Sequence, residues 1–195
     1  LFADRLFIAA NVYSGNRTLM SVVRYGNVVG SRGSVIPHFQ KMRETGRVPI
    51  THRRMTRFWI TLDQGVSLVL DALEKMRGGE IFVPKVPSMD IMSLAETIAP
   101  GCKYEFVGIR PGEKLHEVMI TTDDARRTIE MPDYYVIQPD FPDLHPNSAW
   151  DEGKPVPSGF SYTSDTNKQW LTKEDLGKLL GGMAGELQAV ARNGE

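Results

Sequence analysis

Residues 22–37, Val-Val-Arg-Tyr-Gly-Asn-Val-Val-Gly-Ser-Arg-Gly-Ser-Val-Ile-Pro, limit what this chain can fold into more than any other stretch. An apolar run from Met20 to Tyr25 reads as a strand, and it enters a turn where Gly26, Gly30 and Gly33 remove side chains at short intervals. Glycine lets a backbone approach a ligand closely, while Asn27, Ser31, Arg32 and Ser34 add directed donors to the same loop. In open α/β sheets ligands bind beyond the carboxyl ends of strands, where this loop would lie. The segment reads either as a cradle for a phosphorylated ligand or as a bare connection, and alone it favours neither.

The remaining pattern alternates helices and strands, which predicts an α/β fold. Leu1, Phe2, Leu6, Ala9, Ala10 and Tyr13 recur at helical spacing over 1–13. A second helix is expected from Val35 to Thr45, with Pro37 tolerated in its first turn, followed by an extended Val48–Thr51. Thr61 and Gln64 form a capping-box pair for a helix whose apolar face is Val66, Val69, Leu70 and Leu73. Strands are expected at 80–84, 104–109 and 134–138. Ser88 reads as the cap of a helix with Ile91, Leu94, Ala95 and Ile98 inward, and 110–120 as a strand turning into a further helix. Residues 139–169 lose periodicity and read as a surface excursion. Thr172 and Asp175 cap a last helix to Leu180, and the glycines after it predict a mobile tail over 181–195.

Composition excludes several classes of function. A net charge of −1 gives no bulk attraction to nucleic acid or to an anionic membrane. Cys102 is the only cysteine, so there is no internal disulfide and no cysteine metal cluster, as suits a reducing, cytoplasmic compartment. No window reaches the roughly eighteen apolar residues needed to span a bilayer. His38, His52, His116 and His145 lack metal-ligand spacing. The loop glycines follow neither the dinucleotide fingerprint nor the P-loop pattern. Asp123-Asp124 is better explained by a helix dipole than by a cation. The chain opens inside a helical pattern at Leu1 with no capping residue, so an upstream portion is expected.

Two further segments can carry chemistry. In Gly108-Ile-Arg-Pro-Gly-Glu-Lys114, Arg110 suits a phosphate and Glu113 can accept from ribose hydroxyls. The same residues also fit a helix start with a solvated arginine, and alone they lean that way. In Thr51-His-Arg-Arg-Met-Thr-Arg-Phe-Trp59, Arg53 and Arg54 read as solvated, whereas Arg57 is the better binding candidate because Phe58 and Trp59 anchor it.

The stretches RYGNVVGSRGSVIP, RMTRFWITLDQGV, GGEIFVPKVPSM and GIRPGEKLHEVM, with SYTSDTNKQWL near the end, resemble the inverting UDP-N-acetylglucosamine 4,6-dehydratases. These belong to the polysaccharide-biosynthesis group of the extended short-chain dehydrogenase/reductases. The resemblance implies the carboxyl-terminal part of a doubly wound, Rossmann-type parallel sheet plus a smaller α/β substrate-binding lobe at about 28–60 and 85–135. It implies a lyase that uses NADP to convert UDP-N-acetylglucosamine to a 4-keto-6-deoxy sugar nucleotide with C5 inversion, for flagellin or surface glycans. It places Asn27, Val35, Thr51, Arg110 and Glu113 on the substrate, raises Arg57 as a further contact, and sets the backbone near Tyr25 by the nicotinamide. It also implies a homo-oligomer of the full-length protein. The family's Gly-rich fingerprint, Asp-Lys pair and Tyr-x-x-x-Lys would lie upstream of Leu1, so these residues alone are expected to be inactive. The competing readings are a related sugar-nucleotide epimerase or reductase and a non-catalytic nucleotide-sugar-binding fragment.

Overall fold

The computed structural model describes residues 2–13, 18–31, 33–139 and 150–192. Arg32, His145 and part of the 139–169 excursion lie outside the described residues. In chain order the first elements are α1 (Phe2–Tyr13), β1 (Val22–Val23), β2 (Asn27–Val28), α2 (Val35–Arg43), β3 (Arg47–Ile50), β4 (Thr56–Ile60) and α3 (Leu62–Lys75). Then come β5 (Ile81–Pro84), β6 (Ser88–Asp90), α4 (Ile91–Ile98), β7 (Lys103–Phe106) and β8 (Val118–Ile120). A short 3-10 helix (Asp124–Arg127) precedes β9 (Thr128–Glu130), β10 (Tyr134–Ile137), β11 (Lys154–Pro155), β12 (Tyr162–Thr163) and α5 (Lys173–Arg192). These elements divide into two compact units.

The first unit comprises 1–25, 62–85 and 118–163. Its sheet runs β1-β5-β10-β9-β11, with β1 parallel to β5 and every later pair antiparallel. Ala72, Phe82, Val136 and Trp150 form a core cluster, the Trp150 ring standing edge-on to Phe82 at 5.5 Å. The expected excursion over 139–169 thus contributes a core side chain and two short strands. Residues 118–135, assigned with the substrate lobe from the resemblance, instead pair within this unit through β8 and β9. Helix α3 buries Leu68 and Ala72, but Val66, Val69, Leu70 and Leu73, the stripe read as its inward face, are 46–66% exposed.

Arg24 joins three parts of this unit. Its Nε donates to Asp4 at 2.9 Å, and its Nη1 donates to the Met119 carbonyl at 2.7 Å and to Asp124 at 3.2 Å. Burial alone would raise the Asp124 pKa, but the Arg24 and Thr121 hydrogen bonds outweigh it and hold the carboxyl below its ordinary value. Asp124 is therefore fixed by the partly buried Arg24 guanidinium rather than by the helix dipole expected of it.

The second unit comprises 26–61, 86–117 and 164–195. β2 lies parallel to β4, β6 antiparallel on the other side of β4, and β3 pairs in parallel with β7. Helices α2, α4 and α5 supply Ile36, Phe39, Leu94, Ile98 and Leu176 to a core that also holds Val48, Ile50 and Trp59. Asp90, not Ser88, caps α4 by accepting from the Ser93 N–H at 2.8 Å, while Ser88 belongs to β6. The Thr172–Asp175 pair does cap α5, which continues through Gly181, Gly182 and Gly185 to Arg192 instead of ending at Leu180. Residues 193–195 lie outside the described residues.

Two local findings position the site. Residues 56–60 are strand β4, with Phe58, Trp59 and Ile60 all 2% exposed or less. Residues 110–117, read as the start of a helix, form a turned loop leading to β8. Gly112 takes φ 81°, and the carbonyls of Lys114 and Leu115 turn to the Arg57 side chain rather than into a helical ladder.

At Gly26 the backbone runs so close to β4 that a Cβ would meet Phe58 Cβ and the Phe58 carbonyl oxygen at 2.5 Å. Gly26→Ala should therefore lower stability by about 1–3 kcal/mol, seen as an earlier thermal unfolding midpoint. An unchanged midpoint would contradict this packing.

Candidate functional site

The second unit contains a cavity of about 530 Å³. Its lining comes from the start of β2 (Asn27), from Ser34, Val35, His38 and Lys41 at and along α2, and from Thr51 beyond β3. Met55, Arg57, Ile91, Val107, Arg110 and Glu113 close the remaining sides. Every substrate-contact candidate read from the sequence, Asn27, Val35, Thr51, Arg57, Arg110 and Glu113, lies on this one surface. Tyr25 belongs to the first unit, between β1 and β2, and is 49% exposed.

Charge and open donors converge here. Lys41, Arg57 and Arg110 face a single lining carboxylate, Glu113, so the cavity is basic in a chain of net charge −1. At the start of α2, Ser34 has the extended φ/ψ of a cap, −75° and 172°, but its side chain makes no capping bond. Its Oγ is buried and has no hydrogen-bond partner. The first-turn N–H groups beside Val35 therefore lack a side-chain acceptor, an arrangement that favours an anion.

The 110–117 loop is built as a tight turn. The Glu113 N–H donates to the Arg110 carbonyl at 3.0 Å, and the Arg110 N–H donates to Glu113 Oε2 at 3.3 Å. The Arg110 guanidinium makes no hydrogen bond or ion pair among the described residues. Arg57 is quite different. Its Nη1 donates to the carbonyls of Thr56 at 2.7 Å and Leu115 at 3.1 Å, and its Nη2 donates to that of Lys114 at 2.9 Å. The carboxylates of Glu113 and Glu117 each lie 3.7 Å from its remaining face.

A polar cluster backs this loop. Thr56 Oγ1 lies 2.8 Å from His116 Nδ1 and 2.7 Å from Ser164 Oγ. The Glu117 N–H donates to Ser164 Oγ at 2.9 Å, and the Phe58 N–H donates to Glu117 Oε2 at 3.1 Å. His116 is thus part of the support behind β4. Burial pushes the Glu117 pKa up, against the opposing pull of the Phe58 N–H, Arg57 and Lys114.

The sequence reading missed His38 and Lys41 as lining residues. Their spacing from Val35, three and six along one helix, was the available signal. Arg53 stacks over the Phe106 ring at 5.1 Å and neither it nor Arg54 lines the cavity, as their solvated reading requires. Among the described residues no group of three metal-ligating side chains gathers, and no helix is long and apolar enough to cross a membrane.

The raised Glu117 pKa fixes a pH dependence. The native state holds this proton more tightly than the unfolded chain does. Its contribution to stability is full below the ordinary glutamate range and is lost as pH rises through the raised native value. Thermal melts from about pH 4 to about pH 7 should show wild type losing stability relative to Glu117→Gln across that window. A pH-independent difference between the two would contradict it.

Comparison with known proteins is consistent along the chain. A family model described as "Polysaccharide biosynthesis protein" matches residues 1–139. A UDP-N-acetylglucosamine 4,6-dehydratase (inverting) of Campylobacter jejuni is 50% identical over 185 residues, covering 90% of this chain and 55% of that protein. A UDP-glucose 4-epimerase of Rickettsia canadensis is 39% identical over 184 residues, covering 91% of this chain and 54% of the epimerase. Among solved structures, the X-ray structure of Pen from Bacillus thuringiensis superposes with a TM-score of 0.79 at 32% identity, covering 93% of this chain and 55% of that one. The chain thus spans about half the length of the curated relatives it matches. The fold is α/β of Rossmann type, as the alternating pattern and the parallel β1–β5, β2–β4 and β3–β7 pairs require.

Proposed function

The chain belongs to the polysaccharide biosynthesis protein family, and we propose that its second unit holds the UDP-sugar of a 4,6-dehydratase. The observation that carries this reading is the meeting of an uncommitted guanidinium, a carboxylate and an uncapped helix start on one cavity surface. Arg110 would grip the diphosphate with paired donors, and Glu113 would accept from the ribose hydroxyls. The first turn of α2 at Val35 would add backbone donors to the anion. Asn27 and Thr51 would bond the remaining polar groups of the nucleotide sugar, with Lys41 adding positive field.

The substrate in this reading is UDP-N-acetylglucosamine, and the product is the 4-keto-6-deoxy sugar nucleotide with inverted C5, for flagellin or surface glycans. The similarity to the Campylobacter dehydratase supports it. NADP, when bound, supplies the hydride acceptor and donor. The residues present do not fit the whole of a dinucleotide site: the chain has no Gly-x-Gly-x-x-Gly turn. Tyr25, on the exposed loop after β1, is the one residue proposed to lie near the nicotinamide. The complete reaction, homo-oligomeric assembly and a cytoplasmic location are therefore proposed for the full-length protein. The second unit is given the task of binding and orienting the nucleotide sugar. The identity to a UDP-glucose 4-epimerase favours one alternative, an epimerase using the same pocket.

Calorimetric titration with UDP should show saturable binding that Arg110→Ala weakens by about ten-fold or more, the value of a charge-assisted pair. Binding that survives the substitution unchanged would remove Arg110 from the site. Incubation of the full-length protein with UDP-N-acetylglucosamine and NADP should yield a 4-keto-6-deoxy product. Recovery of only a C4 epimer would replace the dehydratase reading with the epimerase.

A further inference from the structure

Two arginines line the same cavity, and their donors are used in opposite ways. A guanidinium carries five N–H donors. In Arg57 the two on Nη1 go to the carbonyls of Thr56 and Leu115, and Nη2 serves the Lys114 carbonyl while facing Glu113. Nε faces Glu117. Its side chain is only 13% exposed, so these contacts are largely shielded from water. To reach a phosphate it would have to release the Lys114 carbonyl and leave those of Thr56 and Leu115 to their second donors, Ser164 Oγ at 3.1 Å and the Thr56 N–H at 3.2 Å.

We infer that Arg57, held by Glu117, is a positioning residue of the nucleotide pocket: it shapes the 110–117 loop so that Arg110 and Glu113 face the ligand, and does not itself bind the diphosphate. This rests on the UDP-sugar reading of the pocket. Three features of the loop follow from it. The carbonyls of Lys114 and Leu115 point back to β4, so the segment does not wind into the helix its sequence suggests. The Thr56 N–H also donates to the Leu115 carbonyl at 3.2 Å, so strand and side chain grip the same group. Glu113 Oε2 accepts from the Arg110 N–H and Oε1 turns to Arg57, which sets the carboxylate before any ligand arrives. Glu117 does not line the cavity, yet it is fixed by the Phe58 N–H where it faces Arg57 Nε. Lysine cannot replace this fork, because an ammonium is a point donor without the planar spread that reaches three carbonyls and two carboxylates.

A direct phosphate contact and a positioning residue differ in what they do to a ligand that has no phosphate. Titrations of the full-length protein with uridine and with UDP compare wild type, Arg57→Lys and Glu117→Gln, with thermal melts to establish that each variant is folded. Positioning predicts that Arg57→Lys weakens uridine and UDP by a similar factor, about ten-fold, because the ribose contact and the diphosphate contact sit on one loop. Glu117→Gln should weaken both in the same proportion to each other, by less. Loss of UDP affinity with uridine affinity intact in Arg57→Lys would overturn the inference in favour of a direct contact. Unchanged affinity for both ligands, with only a lower melting point, would overturn it in favour of simple stabilisation. Amide hydrogen exchange of the ligand-free protein separates this inference from the nucleotide reading. If wild type binds neither ligand, the nucleotide reading fails. Faster exchange at 110–117 in Arg57→Lys would still support the clamp on the loop, and unchanged exchange there would overturn it.

Discussion

The fork of Arg57, closed on the carbonyls of Thr56, Lys114 and Leu115, is the interaction on which the rest of the second unit depends. It joins the most buried strand of that unit to the loop that carries Arg110 and Glu113. Hydrogen bonds to a charged group contribute about 1.5–3 kcal/mol each. The strand itself has no freedom to shift. β2 and β6 flank it, Gly26 is pressed against Phe58, and Thr56 is bonded to His116 and Ser164. Pocket geometry is thus inherited from the core through one side chain.

The two glutamates of the loop show how environment divides like residues between roles. Glu113 sits on the cavity wall among cations and is oriented by the Arg110 N–H, so it is placed to accept from a ligand. Glu117, four residues on, is turned inward to the Phe58 N–H, and burial raises its pKa. The arginines divide in the same way, with Arg110 open and Arg57 committed. A basic pocket in a nearly neutral chain then needs no excess of positive residues overall, only this sorting of which charges are spent on the fold.

Much of this was legible in the sequence where periodicity or a local motif carries the information. Ile91, Leu94, Ala95 and Ile98 repeat at helical spacing and are all buried in α4, and the Thr172–Asp175 pair caps α5 as its spacing predicts. The substrate candidates also converge on one cavity. β4 was hidden because it is buried on both faces, which erases the alternation that marks a strand. The loop at 113–117 has helix-compatible residues. Its real shape is set by a side chain nearly sixty positions away, a contact that no local pattern encodes. The α3 stripe was legible as a face, but which side of the helix this chain buries was not: Leu68 and Ala72 are covered, and Val66, Val69, Leu70 and Leu73 are largely open.

The account as a whole is tested most directly by a crystal structure of the full-length protein with UDP-N-acetylglucosamine. It predicts the diphosphate against the Arg110 guanidinium and the start of α2, the ribose hydroxyls on Glu113, and Arg57 still bonded to the carbonyls of Thr56, Lys114 and Leu115. A nucleotide bound away from this cavity, or an Arg57 swung off those carbonyls onto the phosphates, would contradict it.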